Sequence, residues 1–322
     1  MTDATDRSRT RLTRARVTSS AVGALFAVVA GVFVTRALVR DRAVIGTALD
    51  GASPAWLVLA ALLATVGMLA IALPWRHAIR LLGDDLPLGE VVRRYFVGEI
   101  GKYVPGGVWP VLGRGELAAR CGVRRTAAYG SVLLSLLALY LAAMLLVVAG
   151  LPALLAGGDG TGPIAVLVLL PVGLLALHPR ALTMAVRIVE RLGRRHIDVP
   201  VPSWTSEIGL VARYVPAWLA IGGATWAIAR SLDPHARLLE IGVATILAWL
   251  VGFVLVPVPG GVGVREAAFV AAAGSLDPGV AATVAIGARV VFVVVDAVGA
   301  LVGSAMIRST GGAQPARSPE AV

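Results

Sequence analysis

Long apolar runs, each close to the length needed to cross about 30 Å of hydrocarbon, recur along nearly the whole chain and are separated by short polar or Gly-Pro-rich stretches. They predict transmembrane helices at residues 17–39, 55–73, 126–149, 163–177, 211–229, 240–258 and 279–307. Pro54 and Pro74 bracket the second of these, which sets Trp56 and Trp75 at opposite membrane faces as interfacial aromatics. Residues 75–125 break the pattern. They carry Arg76, Arg80, Arg93, Arg94, Lys102, Arg114, Arg120, Arg124 and Arg125, too many charges for a plain crossing, so part of this stretch must be loop or must enter the membrane and return. Residues 257–275, a Gly-Pro-rich turn leading into a short helix, form a second interruption. Residues 180–195 are Arg-rich, with Leu182, Val186, Val189 and Leu192 on one helical face, as expected of a helix lying on the cytoplasmic surface.

The fold class is therefore all-α: a polytopic transmembrane helical bundle of about 7–8 crossings with two re-entrant or broken-helix elements. Residues 1–16 form a basic cytoplasmic arm, residues 17–307 the transmembrane domain, and residues 308–322 a polar, disordered tail. Composition agrees, with 57% hydrophobic and 15% charged residues against about 25% charged in soluble domains. The net charge of +10 comes mainly from arginines in a few loops and the first arm, with no basic stripe interleaved with aromatics, which argues against nucleic acid as a partner.

Those basic residues alternate from loop to loop. The stretch 150–162 has no Lys or Arg and reads as external, and the alternation puts the N-terminus in the cytoplasm of a cell-membrane protein. The tail is internal if residues 264–273 count as a crossing and external if they dip and return. The basic arm and the run after it resemble the start of a signal peptide, but the run is of span length and no cleavage pattern follows, so an uncleaved first span is expected.

Cys121, the single cysteine, excludes an intramolecular disulfide, and His77, His178, His196 and His235 lack ligand-like spacing, so neither a metal site nor a cofactor is expected. No nucleophile elbow, phosphate-binding loop or zincin motif is present, which points away from an enzyme.

Candidate chemistry gathers at the two interruptions. Lys102-Tyr-Val-Pro-Gly-Gly-Val108 runs on to Arg114-Gly-Glu116, and Val258-Pro-Gly-Gly-Val262 runs on to Gly263-Val-Arg265-Glu266. Each gives Pro-Gly-Gly-Val followed by an Arg and a Glu in a helix-compatible run, a correspondence expected of an internal inverted repeat whose broken helices meet near the membrane middle. A glycine turn opening a helix leaves backbone N–H groups unpaired at the positive end of the helix dipole, and an arginine adds a planar fork for phosphate oxygens. On this reading Lys102, Gly106, Gly107, Arg114 and Glu116 in the first segment, with Gly260, Gly261, Gly263, Arg265 and Glu266 in the second, bind a lipid head group. The plainer alternative is that each turn only connects crossings while its charges anchor topology in water.

Arg289 and Asp296 lie inside the last apolar run. Seven residues apart, they share a helix face, yet the rise of about 10.5 Å makes a direct pair doubtful. Each needs another partner or a wet cavity. A clamp of Arg289 on Glu266 and a transport role are both open. Asp84 and Asp85, in Leu-Gly-Asp-Asp-Leu-Pro, read as a turn before Pro87, with a catalytic pair as the less favoured alternative.

Over residues 17–307 the chain resembles the transmembrane region of lysylphosphatidylglycerol synthases and their free-standing relatives. The residues that carry the resemblance are Gly101-Lys-Tyr-Val-Pro-Gly-Gly107, Gly113-Arg-Gly-Glu116 and above all Pro257-Val-Pro-Gly-Gly-Val-Gly-Val-Arg-Glu266, with Ala288-Arg289 following. The resemblance implies a flippase-like protein that moves an anionic or zwitterionic phospholipid, or a polyprenyl-linked lipid, between leaflets. Such synthases carry a soluble transferase domain after their spans, whereas this sequence ends about fifteen residues past its last one, so lysyl transfer is not expected. The alternatives are a non-catalytic membrane partner of a lipid-modifying or glycosyl-transferring enzyme, and a membrane-embedded transferase using Asp84 and Asp85.

Overall fold

Pro54 at a helix's first position loses nothing by lacking an N–H, and its fixed φ suits the opening turn. From it the computed structural model runs a 28-residue helix, α1 (Pro54–Leu81). The structure describes residues 52–104, 108–156, 202–254 and 263–311, with isolated positions between 180 and 200. The expected spans at 17–39 and 163–177, the arm, most of the 180–195 segment and the end of the tail lie outside the described residues.

After α1 come α2 (Leu88–Glu99), a 3₁₀ turn (Ile100–Tyr103), α3 (Trp109–Ala119), α4 (Arg125–Ala149) and the short α5 (Leu151–Leu155). The second part holds α6 (Trp204–Leu232), α7 (Leu238–Val254), α8 (Val264–Ala272) and α9 (Pro278–Gly311). Among the described residues all regular structure is helical, and α1, α4, α6 and α9 are long and apolar enough to cross a membrane. The shorter α7 is apolar as well.

Two expectations for α1 are corrected. Pro74 does not end the helix but sits inside it. It removes one helix hydrogen bond, which a membrane helix tolerates when neighbouring elements cover the site, and the buried face continues past it through Trp75, Ala78 and Ile79. Trp75 accordingly is no interfacial aromatic: it is fully buried, and its Nε1–H donates to Ser131 Oγ on α4 at 3.1 Å. Helix α6 also exceeds its expected span, because its first turn, capped by Ser203, is too polar to read as apolar.

Glycines set the helix crossings. A Cβ at Gly67 of α1 would lie 2.9 Å from Ile221 of α6, and one at Gly222 of α6 would lie 2.9 Å from the Gly242 Cα of α7. Gly299 and Gly303, one helical turn apart on α9, rest on Phe96 and on the Arg93 carbonyl of α2. Close backbone approach through small residues is how helices pack where lipid supplies no hydrophobic drive between them. The outward faces are apolar instead: Val58, Leu62, Val66, Leu69 and Leu73 form an exposed stripe at helical spacing on α1, and Val294, Val298, Leu301 and Val302 are exposed on α9. Such stripes suit contact with acyl chains.

The same succession occurs twice: long helix, short helix, Pro-Gly-Gly, short helix, long helix. In both copies the glycine seven residues before the proline packs on the arginine of the helix that follows. A Cβ at Gly98 would lie 2.6 Å from Arg114 Cγ, and one at Gly252 would lie 3.3 Å from Arg265 Cβ. Each interrupted segment is thus a tight helical hairpin, closed on itself by the same pair of residue types.

Candidate functional site

The first hairpin reaches the last helix through its 3₁₀ turn. Tyr103 Oη donates to Asp296 Oδ2 at 2.6 Å, and Lys102 Nζ lies 2.6 Å from the same oxygen. Lys102 is also 3.6 Å from Glu99 Oε1, and Arg114 Nε is 3.8 Å from Glu99 Oε2. Charges therefore alternate along the chain Asp296, Lys102, Glu99, Arg114. Asp296 is wholly buried and its Oδ1 has no hydrogen-bond partner.

Arg114 is 2% exposed and lies against the rings of Tyr95, at 5.3 Å, and Trp75, at 5.9 Å. Glu116 points elsewhere, pairing with Arg120 and Arg125 and accepting from Tyr129 Oη. Glu116 therefore does not share a face with Arg114, whose carboxylate partner is Glu99, because two residues along a helix turn the side chain to another side.

The second hairpin reaches the same helix one segment away. Gly263 has φ +86°, a left-handed conformation in which glycine is unstrained, and it opens α8. Glu266 accepts from the Gly263 N–H at 2.6 Å and pairs with Arg289 of α9 at 3.1 Å. The helix start is thus capped by the chain's own carboxylate, and the clamp of Arg289 on Glu266 is present. Arg265 lies over the ring of Trp249 of α7, its guanidinium carbon 3.7 Å from the ring centroid, with Phe292 at 5.9 Å. Tyr103 of the first hairpin is within electrostatic reach of it. A crevice with about 20 Å³ of space for water-sized molecules opens beside Arg265 and Glu266, bounded by Thr225, Thr245 and Phe269.

Arg289 and Asp296 therefore do not pair with each other; each receives a different hairpin. The site residues Gly106, Gly107, Gly260 and Gly261 lie outside the described residues. Sequence reasoning missed Glu99, Tyr103 and Trp249. Glu99 and Tyr103 flank Lys102 closely enough in sequence to have been tested as its companions, whereas Trp249 looked like one more apolar residue in a span.

Asp84 and Asp85 stand apart in the turn between α1 and α2. Asp84 pairs with Arg124 at 3.0 Å. Asp85 accepts from Arg80 and Arg76, which hold its carboxyl well below the usual carboxylate range. That is a clamped turn. Among the described residues no cluster of His, Cys, Asp and Glu is suited to a metal ion.

The family model for the lysylphosphatidylglycerol synthase TM region matches residues 17–303. The chain belongs to that family. A search of curated proteins finds no match. Both hairpins of this lysylphosphatidylglycerol synthase TM region protein lie within the matched span, as do Lys102, Arg265, Arg289 and Asp296. A multi-pass helical membrane protein is what both the family and the helices give.

Proposed function

We propose that this protein is a flippase-like lipid translocase of the cell membrane, with a cytoplasmic N-terminus, that moves a phosphate-bearing lipid between leaflets. The observation that carries this reading is the meeting of both glycine-turn hairpins on one helix, where Asp296 receives Lys102 and Arg289 receives Glu266. Charged groups in a bilayer interior cost about 2.5–3.5 kcal/mol each on insertion scales. Four of them paired along one helix, Asp296 with Lys102 and Arg289 with Glu266, is the kind of arrangement that marks a path for polar cargo in membrane proteins. Arg265 and the turns hold the head-group phosphate, Arg114 braces the first hairpin from within, and Glu99, Glu266 and Asp296 balance charge. Relative motion of the two hairpin units would expose the site to alternate sides. No bond-making step is assigned to the protein.

The test is translocation of fluorescent phospholipid in liposomes carrying the purified protein. Movement is expected with the native sequence and is expected to be lost in Arg265→Ala that elutes as a monodisperse species. Movement that survives this change removes Arg265 from the mechanism. Absence of movement under every ion gradient, with a lipid-modifying or glycosyl-transferring enzyme co-purifying, points to a partner role. Lipid modification lost in Asp85→Asn and kept in Arg265→Ala points to a transferase.

A further inference from the structure

Where the hairpins meet α9, Glu99, Glu266 and Asp296 each have a cation of the chain's own, while among the described residues Arg265 has no carboxylate paired to it; Glu240, at the start of α7, takes the Ser275 N–H instead. Glu266 is held by Arg289 and by the Gly263 N–H. Asp296 is held by Lys102 and Tyr103, and Glu99 by Lys102 and Arg114. Among the described residues Arg265 has no carboxylate at ion-pair distance, and the neighbouring stretch 255–262 contains no Asp or Glu. Its guanidinium faces the rings of Trp249 and Phe292 and the crevice it lines with Glu266, Thr225 and Thr245. Arg265, Glu266 and Arg289 together leave one positive charge.

A second observation points the same way. The indole Nε1–H of Trp249, in the ring on which Arg265 lies, is buried without an acceptor. Thr225 and Thr245 give their hydroxyl hydrogens to carbonyls of their own helices, at 3.3 Å and 2.7 Å. The two threonine hydroxyls are thus already spent as donors, which leaves the Trp249 N–H as the buried donor in this corner without an acceptor, and a buried donor left unpaired is costly. The crevice is the size of one or two oxygen atoms, not of a whole head group.

Resting on the translocase reading above, we infer that the Arg265 corner is a seat for the charged oxygens of a monoanionic phosphodiester, and that the lipid it selects carries no ammonium in its head group. A head-group ammonium would meet Arg265 at short range and find Glu266 already taken by Arg289. An anionic phosphodiester neutralises the residual charge and supplies the missing acceptor. Selection thus follows from the local charges at Arg265, Glu266 and Arg289, with the Trp249 ring holding the guanidinium by a cation–π contact.

The experiment measures binding of phosphatidylglycerol, phosphatidylethanolamine and free glycerol phosphate to the purified full chain in lipid-free detergent, by native mass spectrometry. Phosphatidylglycerol is expected to bind about tenfold tighter than phosphatidylethanolamine, as suits a charge-assisted hydrogen-bond pair. Arg265→Gln should erase the preference. Trp249→Phe, which keeps the ring and drops the N–H, should weaken phosphatidylglycerol by about fivefold and leave the order of preference. Arg289→Gln frees Glu266 and should raise phosphatidylethanolamine binding, so the idea stays testable if Arg265 variants do not fold.

Equal binding of the two lipids by the native chain, or a preference that persists in Arg265→Gln, overturns the inference. So does glycerol phosphate binding as tightly as the lipid, which would make the ligand a soluble phosphate. In liposomes, an anionic preference without movement of any lipid sinks the translocase reading alone. Movement that favours the zwitterionic lipid sinks this one alone.

Discussion

Lys102 Nζ and Asp296 Oδ2 lie 2.6 Å apart, and this contact ties the turn after α2 to the last helix of the chain. The carboxylate is fully buried while Lys102 keeps 22% of its side chain exposed. Removing one member strands the other charge in an apolar surround, which is worse than removing both.

Asp296→Ala is accordingly expected to destabilise the protein by about 2–4 kcal/mol, somewhat under the fully buried case because Lys102 can reach water. The double variant Lys102→Met with Asp296→Leu should regain most of that loss. Thermal unfolding of the purified protein in detergent reads both, and a double variant as unstable as the sum of the singles would show that the pair does not act as a unit.

Glu266 serves two partners at once, so Glu266→Gln weakens the Arg289 pair and the cap on α8 together. A loss of about 1–3 kcal/mol is expected. Arg289→Gln should cost less, since it leaves the Gly263 N–H satisfied. The order of the two unfolding midpoints is the check; the reverse order would mean that the cap is the weaker of the two contacts.

The seat of α9 on α2 depends on having no side chain at Gly303, where a Cβ would lie 2.9 Å from the Arg93 carbonyl. Gly303→Val should push the helices apart at a cost of about 1–3 kcal/mol. In Gly209→Ala the nearest atom is the mobile end of Arg213, so that variant should stay near native stability or gain slightly. Matched unfolding midpoints for the two would refute close packing at this crossing.

Acid should loosen the turn between α1 and α2. Asp85 is depressed in the folded protein by Arg80 and Arg76, so the stability it lends is present above its ordinary value of 3.8 and fades as pH falls through that value toward the lower folded one. Asp85→Asn should therefore differ most from the native sequence at neutral pH, and the difference should shrink below about pH 4. Unfolding midpoints of both proteins between pH 3 and pH 7 give the answer; a gap that widens in acid contradicts it.

The long apolar helices were legible because burial in lipid writes itself as uninterrupted hydrophobic runs, and α4 and α9 start within a residue of their expected positions. Helix ends were less so: Pro74 reads as a stop when only local propensity is weighed, and only the covering of its surroundings by other helices lets α1 pass through it. The two hairpins announced themselves through Pro-Gly-Gly, and the Arg289–Glu266 clamp was foreseeable from charges stranded in apolar sequence. The partner of Arg114 was not, because choosing Glu99 over Glu116 requires knowing which faces of α2 and α3 meet, and that is fixed by Gly98, which has no side chain to advertise it.

Helix α9 is the least enclosed of the four long apolar helices, with 22% of its most apolar stretch buried in the protein against 61% for α6. Besides its glycine seat on α2, two pairs of opposite charges, two turns of helix apart, tie it to the hairpins. It is a beam shared by both hairpins: a tilt about one ion pair must pull on the other, so a displacement of one hairpin loads its counterpart through α9.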